Sequence, residues 1–299
     1  YGCRMRGASF PNSLITGCPG IGKTCLARAL AKDMRVRFVS IDASRKLLDS
    51  DIEEAIKELE TGDILHFDEA HCLSKSIQDL LLGASGESRK LACKERNTTG
   101  MSYISVADFT LILSTNIPGA LRSALISRCP MKIHLEPYST AEMREIIKEL
   151  LEKRNLRVSA QAITCFVEVS RGIPRRAAHW VDLAYKYFPD TDTELSKLKI
   201  CDFLRDFRIE KAENLMLDNF EQDYLKILLS GEKPMLLGHL AHNLGLDQKF
   251  IFEEIETPLF RDGLVEITES KRRLTNKGKN AALQLAKTCC DIETENMEE

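Results

Sequence analysis

A glycine-rich loop closed by lysine and threonine, Gly17-Cys18-Pro19-Gly20-Ile21-Gly22-Lys23-Thr24, lies between a short apolar run, Ser13-Leu14-Ile15-Thr16, and a helical pattern from Cys25 to Met34. The order strand, G-x-x-x-x-G-K-[ST], helix is that of a phosphate-binding loop, and it commits this part of the chain to an α/β fold. Gly17, Gly20 and Gly22 let main-chain N–H groups wrap a β-phosphate at dihedrals that a side chain would obstruct. Lys23 neutralises β- and γ-oxygens, Thr24 ligates Mg²⁺, and the helix N-terminus adds partial positive charge. The ligands implied are ATP and Mg²⁺, with Gly17, Pro19, Gly20, Ile21, Gly22, Lys23, Thr24 and Cys25 as the cradle.

The first third of the chain continues as apolar runs alternating with helical patterns, as in a parallel sheet covered by helices. Phe38 to Ile41, Asp63 to Asp68, Phe109 to Ser114 and Lys132 to Leu135 read as further strands. The run ending in Asp68-Glu69 delivers Asp68 beside the phosphate loop, where it holds the Mg²⁺ shell, and places Glu69 to polarise the attacking water. Asn116, at the end of the next strand, can orient that water; its plainer role is to initiate the turn before Ile117-Pro118. His71 can assist there or simply hydrogen-bond within its loop.

With 299 residues, 43% of them apolar, the chain has material for more than one core. The expected organisation is an ATPase core over 1–136 with a β-hairpin insertion at about 86–106, an all-α lid over 137–213, a winged helix over 214–284 and an acidic, disordered tail over 285–299. The winged helix is read from three helical patterns between Phe220 and Glu256, followed by Leu264 to Ile267 and Arg272 to Leu274 around a polar turn. Lys271, Arg272, Arg273, Lys277 and Lys279 form a basic run without an intervening acid. Such a run suits phosphate contacts on duplex DNA, or is an ordinary solvated face. Arg89, Lys90, Lys94 and Arg96 place further positive charge in the hairpin. With 42 basic and 45 acidic residues the net charge is −3, so any nucleic-acid contact is local. The ten cysteines follow no zinc or redox spacing and read as small apolar residues of a reducing cytoplasm. No membrane span or secretory signal is evident, and the strand opening so soon after Tyr1 suggests a missing N-terminal portion.

These residues in this order resemble an AAA+ ATPase. Gly17 to Thr24 resembles its Walker A motif, Ile64 to Glu69 its Walker B, Asn116 its sensor 1, Ser127-Arg128-Cys129 its arginine-finger segment and Gly172-Ile173-Pro174-Arg175 its sensor 2. Within that superfamily the chain is most similar to the RuvB family, through Gly62 to Ser74, the hairpin before Asp108 to Ile112, Glu136-Pro137-Tyr138-Ser139, Arg171 to Arg175 and Phe260 to Val265. The resemblance spans essentially the whole chain. It departs from the family at Ile126, where a basic residue is usual, at Cys129, where an aromatic is usual, and at Asn116, where Thr is more frequent.

The resemblance implies an ATP-dependent DNA motor that drives branch migration of Holliday junctions. Arg128 would act in trans on a neighbouring subunit's ATP, and Arg175 would sense the γ-phosphate from the lid; in a protein that does not oligomerise both would be surface ion-pairing residues. Tyr138 would pack near the nucleotide. It implies a homo-oligomeric ring, hexameric in the family, on duplex or four-way-junction DNA. The hairpin, with Met101, Tyr103 and Ile104, would dock a RuvA-like partner, or those side chains pack on the core. The alternative is a clamp-loader-like switch remodelling a protein partner on DNA, to which Ser127-Arg128-Cys129 is the closer match. A degenerate scaffold that binds DNA without hydrolysis would need a lost Lys, Asp or Glu, and all are present.

Overall fold

The computed structural model describes residues 2–86, 88–94, 101–190, 193–231 and 233–295. They form two compact units, residues 1–138 and 139–299.

The first unit contains β1 (Ser13–Gly17), β2 (Phe38–Asp42), β3 (Ile64–Asp68), β4 (Lys90–Lys94), β5 (Met101–Ser105), β6 (Thr110–Thr115) and β7 (Met131–Leu135), with α1 (Gly2–Arg6), α2 (Lys23–Met34), α3 (Asp49–Lys57), α4 (Lys75–Ala84) and α5 (Ser123–Ser127). Five strands make a parallel sheet in the order β2-β3-β6-β1-β7. Alternation along the strands splits their apolar side chains between two faces. Leu14, Leu65, Phe67, Leu111 and Leu113 join Ile52, Ile56, Ile77 and Leu81 of α3 and α4. Ile15, Ile64 and Ile112 pack on Ala27 and Ala31 of α2. Burial on both faces explains why β6 is buried at every position. In sequence order the strands are far apart, but the sheet makes β1, β6 and β3 neighbours, so three loops emerge together at one edge.

β4 and β5 are the inserted antiparallel hairpin, paired from Lys90 with Ser105 to Lys94 with Met101. Leu91 is buried at its root, whereas Tyr103 and Ile104 face solvent at 65% and 41% exposure, so these two are not core residues. Arg89 pairs with Asp108. Arg96, and the side chains of Lys94 and Met101, lie outside the described residues.

The second unit begins with α6 (Thr140–Lys153), set by a reciprocal cap in which Ser139 and Glu142 bond each other's main chain. α7 (Ala160–Ser170), α8 (Pro174–Tyr187) and α9 (Lys197–Asp206) complete a helical core around Met143, Ile147, Phe166, Trp180 and Phe203. A short hairpin of β8 (Glu210–Ala212) and β9 (Leu215–Leu217) follows, turning at Glu213 and Asn214, both at positive φ. Its residues serve two cores: Met216 belongs to the helical one, while Ala212 and Leu217 belong to the next.

That next core is a winged helix: α10 (Asn219–Ser230), β10 (Met235–Leu236), α11 (Leu237–Leu244), α12 (Gln248–Phe250), a π turn over Ile251–Glu256, α13 (Thr257–Arg261), β11 (Val265–Thr268), β12 (Lys271–Leu274) and α14 (Asn276–Glu295). β10, β12 and β11 form its antiparallel sheet. The π turn ends just before Pro258, which has no N–H to give to a regular ladder. α14 corrects the expected disordered tail: it runs through 285–295 as helix. Ala281, Ala282 and Leu285 anchor it in the core, and a helix once nucleated extends at one hydrogen bond per residue. Residues 296–299 lie outside the described residues.

Candidate nucleotide and nucleic-acid sites

The phosphate loop leaves β1 at Gly17 (φ 149°) and enters α2 through Gly22 (φ 109°), the N-cap residue, which offers no side-chain cap. A Cβ on Gly17 would lie 2.7 Å from the Leu135 carbonyl oxygen, so only glycine fits there. The first-turn N–H groups of a helix point away from its own carbonyls, so the start of α2 is the anion-facing end of the loop. Ile21 is buried and pins the loop, so its contribution is main chain; Pro19 and Cys25 are exposed. Lys23 is 6% exposed and donates to the carbonyls of Gly17 (3.0 Å) and Cys18 (3.3 Å). Tyr138 stands close by: its hydroxyl is 3.9 Å from where a Cβ on Gly22 would be.

β3 brings Asp68 to this loop. Thr24 Oγ1 donates to Asp68 Oδ2 at 2.6 Å, placing two hard oxygens together at the start of α2. Glu69 follows in a left-handed conformation (φ 49°, ψ 44°), with its N–H donating to Asp68 Oδ1 at 3.1 Å. A non-glycine residue held there costs about 1 kcal/mol or more and is typical of a functional turn. β6 brings Asn116, whose Oδ1 is buried without a hydrogen-bond partner. A buried carbonyl of this kind calls for a water or ligand atom. These donors fit Mg²⁺, which takes one or two protein oxygens and completes its shell from phosphate and water. Among the described residues no group of three or more His, Cys, Asp or Glu side chains forms a closed metal cage.

Behind these residues lies a second layer, of which sequence reasoning named His71 but not its partners, and missed His66. His71 Nδ1 lies 3.3 Å from Glu69 Oε2 and 3.2 Å from Thr115 Oγ1, so it ties Glu69 to the end of β6. Thr115 Oγ1 also accepts from Ile117 N at 3.0 Å, fixing the turn that carries Asn116. Beneath them His66 bridges three strands, bonding Ser40 Oγ through Nδ1 (2.9 Å) and Ser114 Oγ through Nε2 (2.8 Å). Burial pushes its pKa down to about 4 against the opposing pull of Asp68, and the ring is neutral at physiological pH. A histidine in an otherwise apolar strand was the only available signal; its partners come from two other strands.

Arg128 is exposed at the C-terminal end of α5 and lies against Gly86. Arg175 is exposed in the first turn of α8, within the second unit. Among the described residues neither has a carboxylate partner.

The winged helix corrects the expected DNA set. Lys271 and Arg273 are exposed, with Arg273 pairing with Glu266 across the wing at 2.9 Å. Arg272 points inward: its side chain is 10% exposed and bonds Glu256 through Nε (2.8 Å) and Nη2 (3.1 Å). Glu256 is fully buried and also accepts from the Tyr224 hydroxyl at 2.8 Å. Alternation along β12 sends Arg272 and Leu274 to the core when Lys271 and Arg273 face solvent. Arg272 is therefore a structural residue.

The family described as ATPase family associated with various cellular activities (AAA) matches residues 13–137, and the RuvB C-terminal winged helix domain matches residues 215–282. The Holliday junction branch migration complex subunit RuvB of Mycoplasma pneumoniae is 26% identical over 93% of this chain and 88% of its own length. That of Thermotoga maritima is 27% identical over 92% and 82%. A solved structure of Thermotoga maritima RuvB, described as a Holliday junction branch migration motor, superimposes with a TM-score of 0.77 at 26% identity, covering 93% of this chain and 88% of that one. An AAA domain with a phosphate loop and an Asp-Glu pair, followed by a winged helix of the RuvB type, makes this chain similar to RuvB in domain order and fold along nearly its whole length.

Proposed function

We propose that the protein is an ATP-driven motor for branch migration of Holliday junctions, working in the cytoplasm as a homo-oligomeric ring, hexameric as the family resemblance implies, on duplex DNA. The observation that carries this reading is the meeting of Thr24 and Asp68 at 2.6 Å, with Glu69 and Asn116 on the same sheet edge, in a chain whose C-terminal domain is of the RuvB type. Main-chain N–H groups between Gly20 and Cys25 and the Lys23 ammonium hold the triphosphate. Thr24 and Asp68 would hold Mg²⁺, which would supply neutralisation of the charge that builds on the phosphate oxygens. Glu69 takes a proton from the attacking water, the water oxygen bonds the γ-phosphorus, and the β–γ bridging oxygen leaves with ADP. The unpaired Asn116 carbonyl accepts from that water and aims it. Glu69 is kept in place by its turn and by His71.

Arg128, exposed and without a carboxylate partner among the described residues, suits action in trans on the γ-phosphoryl group of a neighbouring copy, worth about 10³-fold or more in nucleotide hydrolases. Arg175 reports the nucleotide's state from the lid, and Tyr138 packs beside the bound nucleotide. Lys271 and Arg273 set the wing on phosphates without reading sequence. The exposed Tyr103 and Ile104 suit a RuvA-like partner docking on the hairpin. The RuvB-type domain at 215–282 favours this motor over the clamp-loader-like switch.

The test is ATP hydrolysis by the purified chain with and without four-way-junction DNA, comparing wild type with Glu69→Gln. Stimulation by the junction that the substitution abolishes is the expected result. Hydrolysis indifferent to DNA would transfer support to the protein-remodelling switch.

A further inference from the structure

Four residues before Arg175, at the C-cap of α7, Arg171 adopts a left-handed conformation (φ 51°) and turns its side chain away from the helical core. Its side chain is 2% exposed. Nε donates to Asp262 Oδ2 at 2.7 Å, Nη2 to Asp262 and to the Pro258 carbonyl (3.4 Å), and Nη1 to Glu221. Each acceptor belongs to the winged helix. Glu221 is 1% exposed, and its other oxygen accepts from the Asp218 N–H at 3.1 Å, closing the cap of α10. Asp262 caps α13 and is followed, three residues on, by the wing strand β11. One side chain therefore spans from the turn of the nucleotide sensor to both ends of the helical frame that carries Lys271 and Arg273.

The turn itself is stiff. Arg171 N bonds Glu168 O (3.3 Å), Ile173 N bonds Ser170 O (3.0 Å), Ile173 is buried, and Pro174 fixes the first residue of α8. A displacement of Arg175 is then a displacement of Arg171. The desolvated, multiply bonded fork keeps direction as well as contact, which a screened surface pair would not. The shared β8–β9 hairpin and the pair of Lys211 with Glu168 (2.9 Å) brace the same junction.

We propose that Arg171, with Glu221 and Asp262, is the positioning element that transmits the nucleotide state read at Arg175 to the winged helix, so that hydrolysis moves DNA. This rests on the motor reading above. Its test uses the full chain with Arg171→Met, Arg171→Lys and Asp262→Asn, recording ATP hydrolysis with and without four-way-junction DNA, base pairs migrated per ATP, and Tm. Arg171→Met is expected to keep DNA-free hydrolysis within about twofold and to lose about tenfold in DNA stimulation and in migration per ATP, with Arg171→Lys in between. Unchanged migration per ATP, or DNA-free and DNA-stimulated hydrolysis falling in the same proportion, would overturn the proposal, since a merely structural residue behaves that way. If Arg171→Met does not fold, Asp262→Asn, which keeps the shape of the fork, decides by the same two readings. A wild-type chain that junction DNA does not stimulate removes the motor reading itself, an outcome separate from a stimulated wild type with an equally coupled variant.

Discussion

Arg272 meets Glu256 inside the winged helix through two hydrogen bonds of 2.8 and 3.1 Å, in the middle of a basic run whose neighbours face solvent. Removing one partner of a buried pair strands the other, at a cost of about 3–5 kcal/mol. Arg272→Ala is therefore expected to lower the urea midpoint sharply. Lys271→Ala and Arg273→Ala are expected to leave it nearly unchanged, and each to reduce the salt dependence of DNA binding by about one unit of slope. Equal loss of DNA affinity from all three, with no stability difference, would contradict the structure.

Asn116 separates catalysis from stability. Its buried Oδ1 lacks a partner, so Asn116→Ala deletes an unsatisfied group, and the stability change should stay within about 0.5 kcal/mol. Hydrolysis under saturating ATP should fall about 10²-fold as the water loses its acceptor, with ATP binding retained. Calorimetric titration with a non-hydrolysable analogue, alongside turnover, reads both.

His66 makes the core sensitive to acid. Its folded pKa is about 4 against 6.5 in the unfolded chain, so between these values the unfolded state binds the extra proton. The neutral ring's stabilisation is complete above pH 6.5 and lost as the pH falls towards 4, by about 3 kcal/mol over the window. Unfolding free energies at pH 7 and 4.5, wild type minus His66→Gln, isolate this part from the carboxylates. A difference independent of pH would refute it.

Two thiols should resist alkylation. Burial pushes Cys129 up to about 11 and Cys165 to about 12, the latter also through its hydrogen bond with Cys201. Because the thiolate is the nucleophile, both should react with iodoacetamide at pH 8 about 10²-fold more slowly than an ordinary exposed thiol. Cys25 and Cys72 are exposed and should label first. Mass spectrometry of the natively treated protein gives the order.

What the sequence disclosed was whatever is local. The phosphate loop, its flanking strand and helix, and the Asp68-Glu69 strand end are contiguous patterns, and each folds as its pattern demands. The role of Arg272 was hidden because its partner is 16 residues away and its direction depends on the phase of a four-residue strand. The link from Glu69 through His71 to Thr115 spans 46 residues of sequence and exists only because β3 and β6 are adjacent. The tail misled for a different reason: its acidic residues suggested solvation, whereas Ala281, Ala282 and Leu285 had already started a helix that its Ala, Lys and Glu residues prolong.

The π turn at Ile251–Glu256 holds one residue more than an α-helical path would need, and Glu256 is its last member. Excising any one of residues 252–254 would let an unbroken α-helix form with the residues beyond the cut in nearly the same angular phase, so Glu256 would still face Arg272. The surplus residue is slack that a single deletion consumes, and related genes should tolerate the loss of one residue here as well as substitution.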